Sequence, residues 1–283
     1  MEATMSRAEL VWFDGKWGAG VPLIGPVDHA FWMASTVFDG ARGMQGHLPD
    51  LQAHCERAIR SAVTLGMEPK LTGADIEGLV RDGMTQLPRQ ADYYIKMLFY
   101  CPGGLLLPDP ATTTFALHIF EAPLPEDSGF SATISKYRRP DATTAPTDAK
   151  ASCLYPNSQR AVRDALARGF SGAIMLDPEG NVAEFAIANI WIVRAGVALT
   201  PEPNGTFLNG ITRQRVIKLL REDGITVKEA RLLPEDVLTA DEVFSTGNHG
   251  KVLHCNRVEE RMLPHGPVAR RARELYMQFA LSC

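Results

Sequence analysis

Lys150 has the surroundings that covalent chemistry on an amine requires. It lies in the run Thr147-Asp148-Ala149-Lys150-Ala151-Ser152-Cys153-Leu154-Tyr155, after a loop rich in proline and threonine. The small residues on both sides leave room for a flat molecule beside the amine. A partly buried lysine loses its proton more easily than an exposed one, and a neutral amine can form a Schiff base. The alternative is a surface lysine at the entry to a helix, and on this feature alone that alternative is the more common case.

The composition is that of a folded protein of one or two domains with a substantial core. The chain has 283 residues, of which 45% are hydrophobic and 22% charged, and its net charge is -4. No basic stripe is visible, so nucleic acid is not an expected partner. No apolar stretch approaches the ~20 residues of a membrane helix, and the N-terminus lacks an apolar signal core. We therefore expect a cytoplasmic protein without a membrane partner.

The five cysteines argue against two kinds of stabilising site. They are scattered, odd in number and form no CxxC pair; they are Cys55, Cys101, Cys153, Cys255 and Cys283. This pattern indicates reduced thiols and argues against a disulfide framework and against a zinc site. We predict no bound metal.

Hydrophobic periodicity predicts strands and two helices in the first half of the chain. Asp14-Gly15 marks a hairpin turn after the first strand. Asp50 is the predicted N-cap of a helix that runs to about residue 65. The predicted strands span residues 10–13, 36–44, 92–100 and 113–121, and the second helix spans residues 73–87.

Residues 122–129 are the predicted linker between two domains. Two prolines, two acidic residues and a glycine in this stretch are unfavourable in both helices and strands. We therefore predict an N-terminal domain over residues 1–121 and a C-terminal domain over residues 130–283. The second domain has predicted helices at 157–169, 211–223, 234–239 and 267–281, and predicted strands at 172–177, 181–184, 189–194, 197–200, 225–231, 241–246 and 251–258. Mixed helices and strands in two blocks indicate an α+β or mixed α/β protein.

Eight segments of the chain match one family of enzymes in order and spacing. They are Val37-Phe38-Asp39-Gly40-Ala41-Arg42, His54-Cys55-Glu56-Arg57, Tyr94-Ile95-Lys96, Ala149-Lys150-Ala151, Leu176-Asp177-Pro178-Glu179-Gly180-Asn181-Val182-Ala183-Glu184, Asn189-Ile190, Asn209-Gly210-Ile211-Thr212-Arg213 and Ala240-Asp241-Glu242-Val243-Phe244. On these segments the chain resembles the fold-type IV, or class IV, pyridoxal-phosphate aminotransferases, from Val11 to about Ala280. The resemblance implies a two-domain α+β fold, with a smaller N-terminal α/β domain and a larger C-terminal domain. The larger domain is expected to have a mixed, barrel-like sheet and to carry Lys150.

The resemblance assigns two residues to the reactive parts of a pyridoxal 5′-phosphate (PLP) cofactor. Lys150 holds the cofactor as a Schiff base and, once the substrate amine displaces it, moves the proton between the substrate Cα and the cofactor C4′. Glu184 pairs with the pyridine nitrogen and keeps the ring protonated, which makes the ring an electron sink. The alternatives are a structural surface lysine and a solvated glutamate at the end of a strand.

The resemblance assigns the cofactor phosphate to Arg57 and to a helix N-terminus. A guanidinium suits a dianionic phosphate in bidentate fashion. Gly210-Ile211-Thr212 opens a helix whose backbone N–H groups form an anion site, and the Thr212 hydroxyl adds a donor. A simple capped helix is the alternative for this segment.

Three further residues complete the predicted cofactor site. Tyr155 is expected at the phenolic oxygen of the cofactor, unless it is a buried core tyrosine. Asn189 belongs to the predicted site, although a strand-end residue that satisfies backbone groups is an alternative. Asn248 is expected to donate from the loop between the last two predicted strands.

Departures from the usual pattern of branched-chain aminotransferases concern the substrate. Tyr94-Ile95-Lys96 stands where Tyr-x-Arg is usual. Tyr94 is expected at the substrate α-carboxylate. Lys96 keeps the positive charge of the usual arginine but lacks its planar guanidinium. Gly247-Asn248-His249-Gly250-Lys251 replaces a usual Gly-Thr-Ala-Ala, and His249 either lines the pocket or faces solvent at a dimer edge. Met33 replaces an aromatic residue and can widen the pocket. The predicted substrate-binding residues are Met33, Phe38, Arg42, Tyr94, Lys96, Gly247 and His249.

The resemblance favours a branched-chain aminotransferase, which exchanges an amino group between L-leucine, L-isoleucine or L-valine and 2-oxoglutarate in a ping-pong reaction. An (R)-selective amine transaminase or a D-amino acid aminotransferase is the alternative that the altered loop, Lys96 and Met33 support. An aminodeoxychorismate lyase and a cofactor-binding scaffold without catalysis are two further alternatives. The family also implies a homodimer. The expected partners are therefore a small-molecule amine or amino acid and a keto acid.

Overall fold

The computed structural model describes residues 8–20 and 23–283. The chain packs into two units. One holds the described residues up to Leu124 together with Ala149–Cys153 and Ala280–Cys283, and the other holds Pro125–Asp148 and Leu154–Phe279. Each unit combines a sheet with helices, so the predicted α+β class is confirmed.

Five antiparallel strands form the sheet of the first unit. They are β1 (Glu9–Phe13), β2 (Lys16–Gly18), β3 (Thr36–Met44), β4 (Asp92–Tyr100) and β5 (Thr114–Glu121), in the order β2-β1-β5-β4-β3. Side chains of a strand point alternately to the two faces of its sheet. Along β4, Tyr93, Ile95 and Met97 are fully buried, whereas Tyr94 and Lys96 are half-buried. The sheet therefore has one sealed face and one partly open face.

Two helices cover the sealed face. The helices of this unit are α1 (His29–Trp32), α2 (Leu51–Thr64) and α3 (Gly73–Thr85), and α2 packs on β3 and β4 while α3 packs on β5. The apolar stripe predicted for α2 is buried at Leu51, Ala58 and Ala62. The strand and helix limits predicted for this part of the chain agree with the structure to within two residues.

The predicted N-cap of α2 is wrong. Asp50 has a left-handed backbone with φ 57°, and its side chain makes no capping hydrogen bond. A capping side chain reaches the first N–H groups from an extended backbone, which Asp50 does not have. By contrast, α3 begins with a reciprocal pair: Thr72 Oγ1 accepts from the Asp75 N–H at 3.2 Å, and Asp75 Oδ2 accepts from the Thr72 N–H at 2.8 Å.

A mixed sheet forms the centre of the second unit. Its strands are β6 (Phe130–Arg138), β7 (Gly172–Leu176), β8 (Val182–Phe185), β9 (Asn189–Arg194), β10 (Val197–Pro201), β11 (Val227–Ala230), β12 (Glu242–Gly247), β13 (Lys251–Val258) and β14 (Arg261–Met262). The order is β11-β10-β9-β12-β13-β6-β7-β8, and β14 pairs with β13. The pairs β10–β11, β13–β6 and β6–β7 are parallel, and the pairs β9–β10, β9–β12, β12–β13 and β7–β8 are antiparallel. The predicted mixed sheet is confirmed.

Helices pack on this sheet at several strands. They are α4 (Tyr155–Ala167), α5 (Ile211–Glu222), α6 (Pro234–Leu238) and α7 (Pro267–Ala280). The α4 helix packs on β6 and β7, and α5 packs on β11 and β12. The core between these elements is aliphatic, with Ile174, Ile190 and Val243 fully or almost fully buried. In the part of the chain that the structure describes, no helix is both long and apolar enough to cross a membrane.

The strand β6 is missing from the elements that the sequence predicts. It lies inside the sheet, between β13 and β7. Its apolar residues Phe130, Ala132 and Ile134 alternate with polar ones, but the strand contains few large apolar side chains. It also lies between a predicted linker and a proline-rich loop. Both of its partners are parallel and distant in the sequence, so no local hairpin signal marks it.

Asp127, from the predicted linker, is anchored within the second unit. Its carboxylate lies 2.9 Å from His254 Nδ1, 3.4 Å from His265 Nε2 and 3.5 Å from Arg273 Nε. The two imidazole rings stack with centroids 4.0 Å apart and an interplanar angle of 6°. Asp127, His254 and His265 could each supply one metal ligand. Stacked rings, however, do not direct their nitrogen lone pairs at one point, and Arg273 already balances the carboxylate.

Glu242 connects the mixed sheet to the start of α7. It is buried, and its two carboxylate oxygens accept from the backbone N–H groups of Val268 at 3.1 Å and Ala269 at 2.8 Å. Such N–H groups have no partner within their own helix.

We expect Glu242→Ala to lower the free energy of unfolding by about 1.5–3 kcal/mol, because two buried donors lose a charged acceptor. Urea denaturation measures the loss. The exposed Glu260→Ala is the control, and equal midpoints for the two variants would contradict the assignment.

Candidate active site

The Ala149–Cys153 segment fixes the backbone of Lys150 within the first unit. The Lys150 N–H donates to Ser61 Oγ of α2 at 3.0 Å, and the Lys150 carbonyl accepts from the Phe38 N–H of β3 at 3.1 Å. Ala151 forms an antiparallel bridge with Val37. The segment therefore extends the sheet at its β3 edge. By its contacts the segment groups with the first unit, whereas the sequence-based prediction assigns Lys150 to the C-terminal domain.

The Lys150 side chain lies over an aromatic ring. Its Nζ is 4.7 Å from the centroid of the Phe38 ring, and the residue is half-buried. An ammonium is attracted to the face of an aromatic ring. The ring therefore holds the amine on the partly open face of the first sheet.

The partly open face brings together four of the predicted substrate residues. Since β3 and β4 pair with Arg42 opposite Tyr94, these two side chains share a face with Phe38 and Lys96. Tyr94 stacks on Phe120 with centroids 5.4 Å apart, and Lys96 Nζ lies 5.4 Å from the centroid of the Phe120 ring. The face thus presents flat apolar surfaces next to a cation.

Gly40 and Arg42 hold Tyr94 in place on this face. A Cβ atom at Gly40 would lie 2.2 Å from the Tyr94 hydroxyl oxygen, so only glycine lets the ring lie across β3. The buried Arg42 donates to the Ala122 carbonyl, and its guanidinium carbon lies 5.4 Å from the centroid of the Tyr94 ring. Burial lowers the pKa of Arg42 from its ordinary value. Met33, also predicted to bind substrate, follows α1 and is 41% exposed.

Asp39 is a buried charge on the sealed face. Its Oδ2 accepts from Arg57 Nε at 2.6 Å, its Oδ1 accepts from Arg57 Nη2 at 2.9 Å, and His54 Nδ1 lies 2.8 Å from Oδ1. Burial acts to raise the Asp39 pKa, but Arg57 and His54 overcome it and hold the pKa well below its usual range. The structure thus pairs the predicted phosphate ligand Arg57 with a carboxylate. Sequence reasoning missed this partner, although Asp39 lies inside one of the matched segments.

Glu184 of β8 is buried, with its carboxylate between two side chains. Arg139 Nε lies 3.2 Å from Oε1, and Asn189 Nδ2 donates to Oε2 at 3.4 Å. Asn189 also donates to the Leu208 carbonyl at 2.9 Å. A carboxylate beside a buried guanidinium is favoured in its charged form. The structure therefore brings Glu184 and Asn189 together and adds Arg139, which sequence reasoning missed because it is distant from both in the chain.

The start of α5 lies directly against Asn189. A Cβ atom at Gly210, the N-cap residue, would lie 2.1 Å from Asn189 Oδ1, so a larger residue cannot occupy this position without displacing Asn189. The helix begins without a side-chain capping hydrogen bond, and Ile211 and Thr212 are buried in its first turn. The predicted residues Gly210, Ile211 and Thr212 thus form one helix start beside Asn189.

Arg213 anchors this end of α5 to the sheet edge. It is fully buried and donates to Asn209 Oδ1 at 2.8 Å, to the Pro201 carbonyl at 2.7 Å and to Glu229 Oε1 at 2.8 Å. Burial lowers the pKa of the guanidinium, while Glu229 acts to raise it. The helix start is therefore fixed by a network that reaches β10 and β11.

A three-residue turn joins β12 and β13. Gly247 pairs with Lys251 across the turn, and Lys251 Nζ donates to Asn248 Oδ1 at 2.8 Å. His249 is exposed, and it lines an apolar cavity of about 250 Å³. Tyr155 is the half-buried first residue of α4.

The chain matches a known family over most of its length. The family described as amino-transferase class IV matches residues 36–258. A branched-chain-amino-acid aminotransferase of Pseudomonas aeruginosa is 30% identical over 288 residues, which cover 95% of this chain and 92% of the relative.

Solved structures agree with this match. An aminotransferase from Brucella abortus, bound to the co-factor PLP, is 46% identical and superposes with a TM-score of 0.95 over 97% of this chain and 100% of that chain. The branched-chain amino acid aminotransferase of Escherichia coli is 27% identical, with a TM-score of 0.88 over 96% of this chain and 94% of that chain.

The fold of the two sheets and their helices is that of a PLP-dependent aminotransferase. The chain belongs to the class IV aminotransferase family. The predictions of family, fold, enzyme class and PLP as cofactor are thereby confirmed.

Replacing Asp39 tests the ion pair on the sealed face. We expect Asp39→Asn to lower the free energy of unfolding by about 3–5 kcal/mol near neutral pH, because Arg57 loses its buried partner. The Asp39 pKa is lower in the folded protein than in the unfolded chain. Its stabilising contribution is therefore complete above the unfolded pKa of about 3.9, begins to fall below that value and is lost as the pH falls through the folded pKa.

Urea denaturation at about pH 7 and about pH 3.5 measures this dependence. The difference in stability between the wild type and Asp39→Asn should shrink at the lower pH. The exposed Asp148→Asn is the control. A difference that stays constant between the two pH values would contradict the ion pair as the source of the effect.

Proposed function

We propose that this class IV aminotransferase transfers an amino group between a branched-chain L-amino acid and 2-oxoglutarate. The partly open face of the first sheet carries the proposal. Phe38, Tyr94 and Phe120 offer apolar rings, and Lys96 Nζ lies 6.0 Å from the centroid of the Tyr94 ring. Rings suit a branched aliphatic side chain, and an ammonium suits the carboxylates of amino acids and keto acids. The Pseudomonas aeruginosa and Escherichia coli relatives are branched-chain aminotransferases, which supports the same substrate class.

The residues around Glu184 and at the start of α5 fit PLP. Arg139 favours a charged Glu184, which suits a protonated pyridine nitrogen, and the first turn of α5 has no side-chain cap to compete with a phosphate. When bound through its aldehyde to an amine, PLP withdraws electrons from the carbon that carries that amine. We assign the ring nitrogen to Glu184 and the phosphate to Gly210–Thr212, and the assignment of Arg57 to the phosphate stays a prediction.

We assign the catalytic role to Lys150. Its backbone N–H and carbonyl are both hydrogen-bonded, so the residue stays in place when its amine is released, and the four-carbon side chain lets Nζ move. The amine holds the cofactor at rest and then accepts the proton from the substrate Cα. We assign Tyr155 to the phenolic oxygen, and Asn189 to holding the Glu184 carboxylate.

The turn between β12 and β13 supports a second candidate function. Lys251 Nζ donates to Asn248 Oδ1, an amide oxygen that the usual Gly-Thr-Ala-Ala turn does not contain. We assign Asn248 to cofactor binding, and Gly247 and His249 to substrate binding. A reshaped turn alters how a substrate carboxylate is held, and simple (R)-amines have no carboxylate. An (R)-selective amine transaminase or D-amino acid aminotransferase is therefore the second candidate.

We infer that the enzyme is a cytoplasmic homodimer. Leu105, Leu106 and Leu107 are 78%, 76% and 74% exposed in the loop between β4 and β5, and an exposed apolar run suits a subunit interface. Among the described residues no cysteine forms a disulfide, as expected in a reducing compartment. The net charge of -4 gives no support to a nucleic-acid partner.

Replacing Lys150 tests its assigned role. We expect Lys150→Ala to lose the visible absorption band of lysine-bound PLP and to lower kcat about 1,000-fold or more, because the attachment point and the proton acceptor are both removed. Spectra and turnover of L-leucine with 2-oxoglutarate measure the two effects. Lys70→Ala, at an exposed site, is the control. Transamination retained in Lys150→Ala would refute the assignment.

The amine donor distinguishes the candidate functions. We expect L-leucine to bleach the absorption band of the purified enzyme and (R)-1-phenylethylamine to leave it unchanged, because Lys96 suits a carboxylated donor. Bleaching by the (R)-amine alone would establish the second candidate instead. Release of pyruvate from aminodeoxychorismate without an amino acceptor would indicate a lyase. If no absorption band appears after PLP is added, the catalytic candidates fail and a scaffold without catalysis is the remaining candidate.

A further inference from the structure

We propose that Lys251 is a positioning residue that orients the side-chain amide of Asn248 for binding an anionic oxygen, an inference that rests on the proposed function. Lys251 is 1% exposed, and its Nζ donates to Asn248 Oδ1 at 2.8 Å. An ammonium group carries only donors, so the atom that faces it is the amide oxygen and not the amide nitrogen. This contact sets the orientation of the amide. Nδ2 is then the donor atom of this side chain.

The backbone of Lys251 is unfavourable for a lysine. Its φ is 59°, in the left-handed region where glycine is favoured, and its ammonium group is removed from water. A glycine at this position would avoid both penalties. Strain of this kind at a single residue points to a function for its side chain.

The turn around Asn248 is held from a second side by α7. Lys251 Nζ lies 5.5 Å from the centroid of the Tyr276 ring. Arg273 donates to the Gly250 carbonyl at 3.3 Å and to the Val252 carbonyl. The backbone of the turn and the Asn248 amide are thus both fixed within the second unit. Fixed donors of this kind bind a developing or permanent negative charge without reorganisation.

The ammonium also strengthens the donor. A cation bonded to the oxygen of an amide polarises the group and makes its N–H bonds better donors, as in other chains of hydrogen bonds. The anionic oxygen belongs either to the cofactor phosphate or to the substrate carboxylate. Pyridoxal, which lacks the phosphate, separates these two sources.

A double-mutant cycle tests the role of Lys251. The four proteins are the wild type, Lys251→Met, Asn248→Ala and the double variant. Methionine approximates the length of lysine without its charge, so we expect folding to be retained, and thermal unfolding checks this. Affinity for PLP is read from absorption titrations of the apoenzyme, and KM and kcat are measured with L-leucine.

We expect each single variant to bind PLP about 3- to 30-fold more weakly, with the double variant no weaker than Asn248→Ala alone. Pyridoxal should bind equally to all four proteins. If the anion is the substrate carboxylate, all four proteins bind PLP equally. KM for L-leucine then rises in each single variant and is no higher in the double variant than in Asn248→Ala. Either pattern supports the proposal.

Additive effects in both measurements, or a Lys251→Met variant with unchanged PLP affinity and unchanged KM, would overturn the proposal. A wild-type protein that binds no PLP would overturn the proposed function itself, and the role of Lys251 with it.

Asn248→Asp provides a test that does not depend on the folding of Lys251→Met. The aspartate keeps an acceptor for Lys251 but removes the Nδ2 donor and adds a negative charge. We expect Asn248→Asp to have a Tm at or above that of the wild type. We expect it to bind the anion more weakly than Asn248→Ala does, as measured by PLP affinity or by KM for L-leucine. Wild-type affinity in Asn248→Asp would show that Asn248 does not donate to the anion.

Discussion

Two backbone hydrogen bonds hold Lys150 in place, and the proposed chemistry depends on them. They use the N–H and the carbonyl of Lys150, so the side chain is the part of the residue that remains able to move. The same docking explains the flanking residues. Ala149 and Ala151 are fully buried, so larger side chains would separate the segment from β3. The small neighbours of Lys150 therefore serve packing within the first unit.

The strand β3 serves both faces of its sheet. Asp39 points to the sealed face and pairs with Arg57, whereas Phe38 and Arg42 lie on the partly open face with Lys150 Nζ. A shift of one residue in the pairing of β3 with β4 would exchange the two faces and bury the wrong side chains. The ion pair of Asp39 makes that shift costly, because it would bring the charge to the wrong face. The stability of the sealed face and the arrangement of the open face are thus set by one register.

The sequence predicts the elements with strong periodicity well. The limits of β3, β4, β9 and β13 agree with the predicted ones, because apolar alternation and turn residues mark both ends. Two features that it does not predict depend on non-local contacts. The strand β6 has distant parallel partners, and Lys150 joins the first unit through contacts with Phe38 and Ser61 that no local pattern contains.

The same limit applies to the site. Its residue types could be identified from matched segments, but the partners Asp39, Arg139 and Lys251 follow only from contacts across strands and turns. The Asp50 capping prediction failed for a different reason. Residue type alone does not reveal a left-handed backbone, and that backbone keeps the side chain from the helix.

The anchoring of α5 by Arg213 has a thermodynamic consequence. Asn209, Pro201 and Glu229 hold the guanidinium in a buried network, and Asn189 packs against Gly210 at the helix start. Conformational entropy at this end of the helix is therefore lost when the chain folds and not when a ligand arrives. An anion bound there meets donors that are already ordered. Under the proposed phosphate assignment, cofactor affinity is thus linked to Pro201 of β10 and Glu229 of β11, which anchor the helix start.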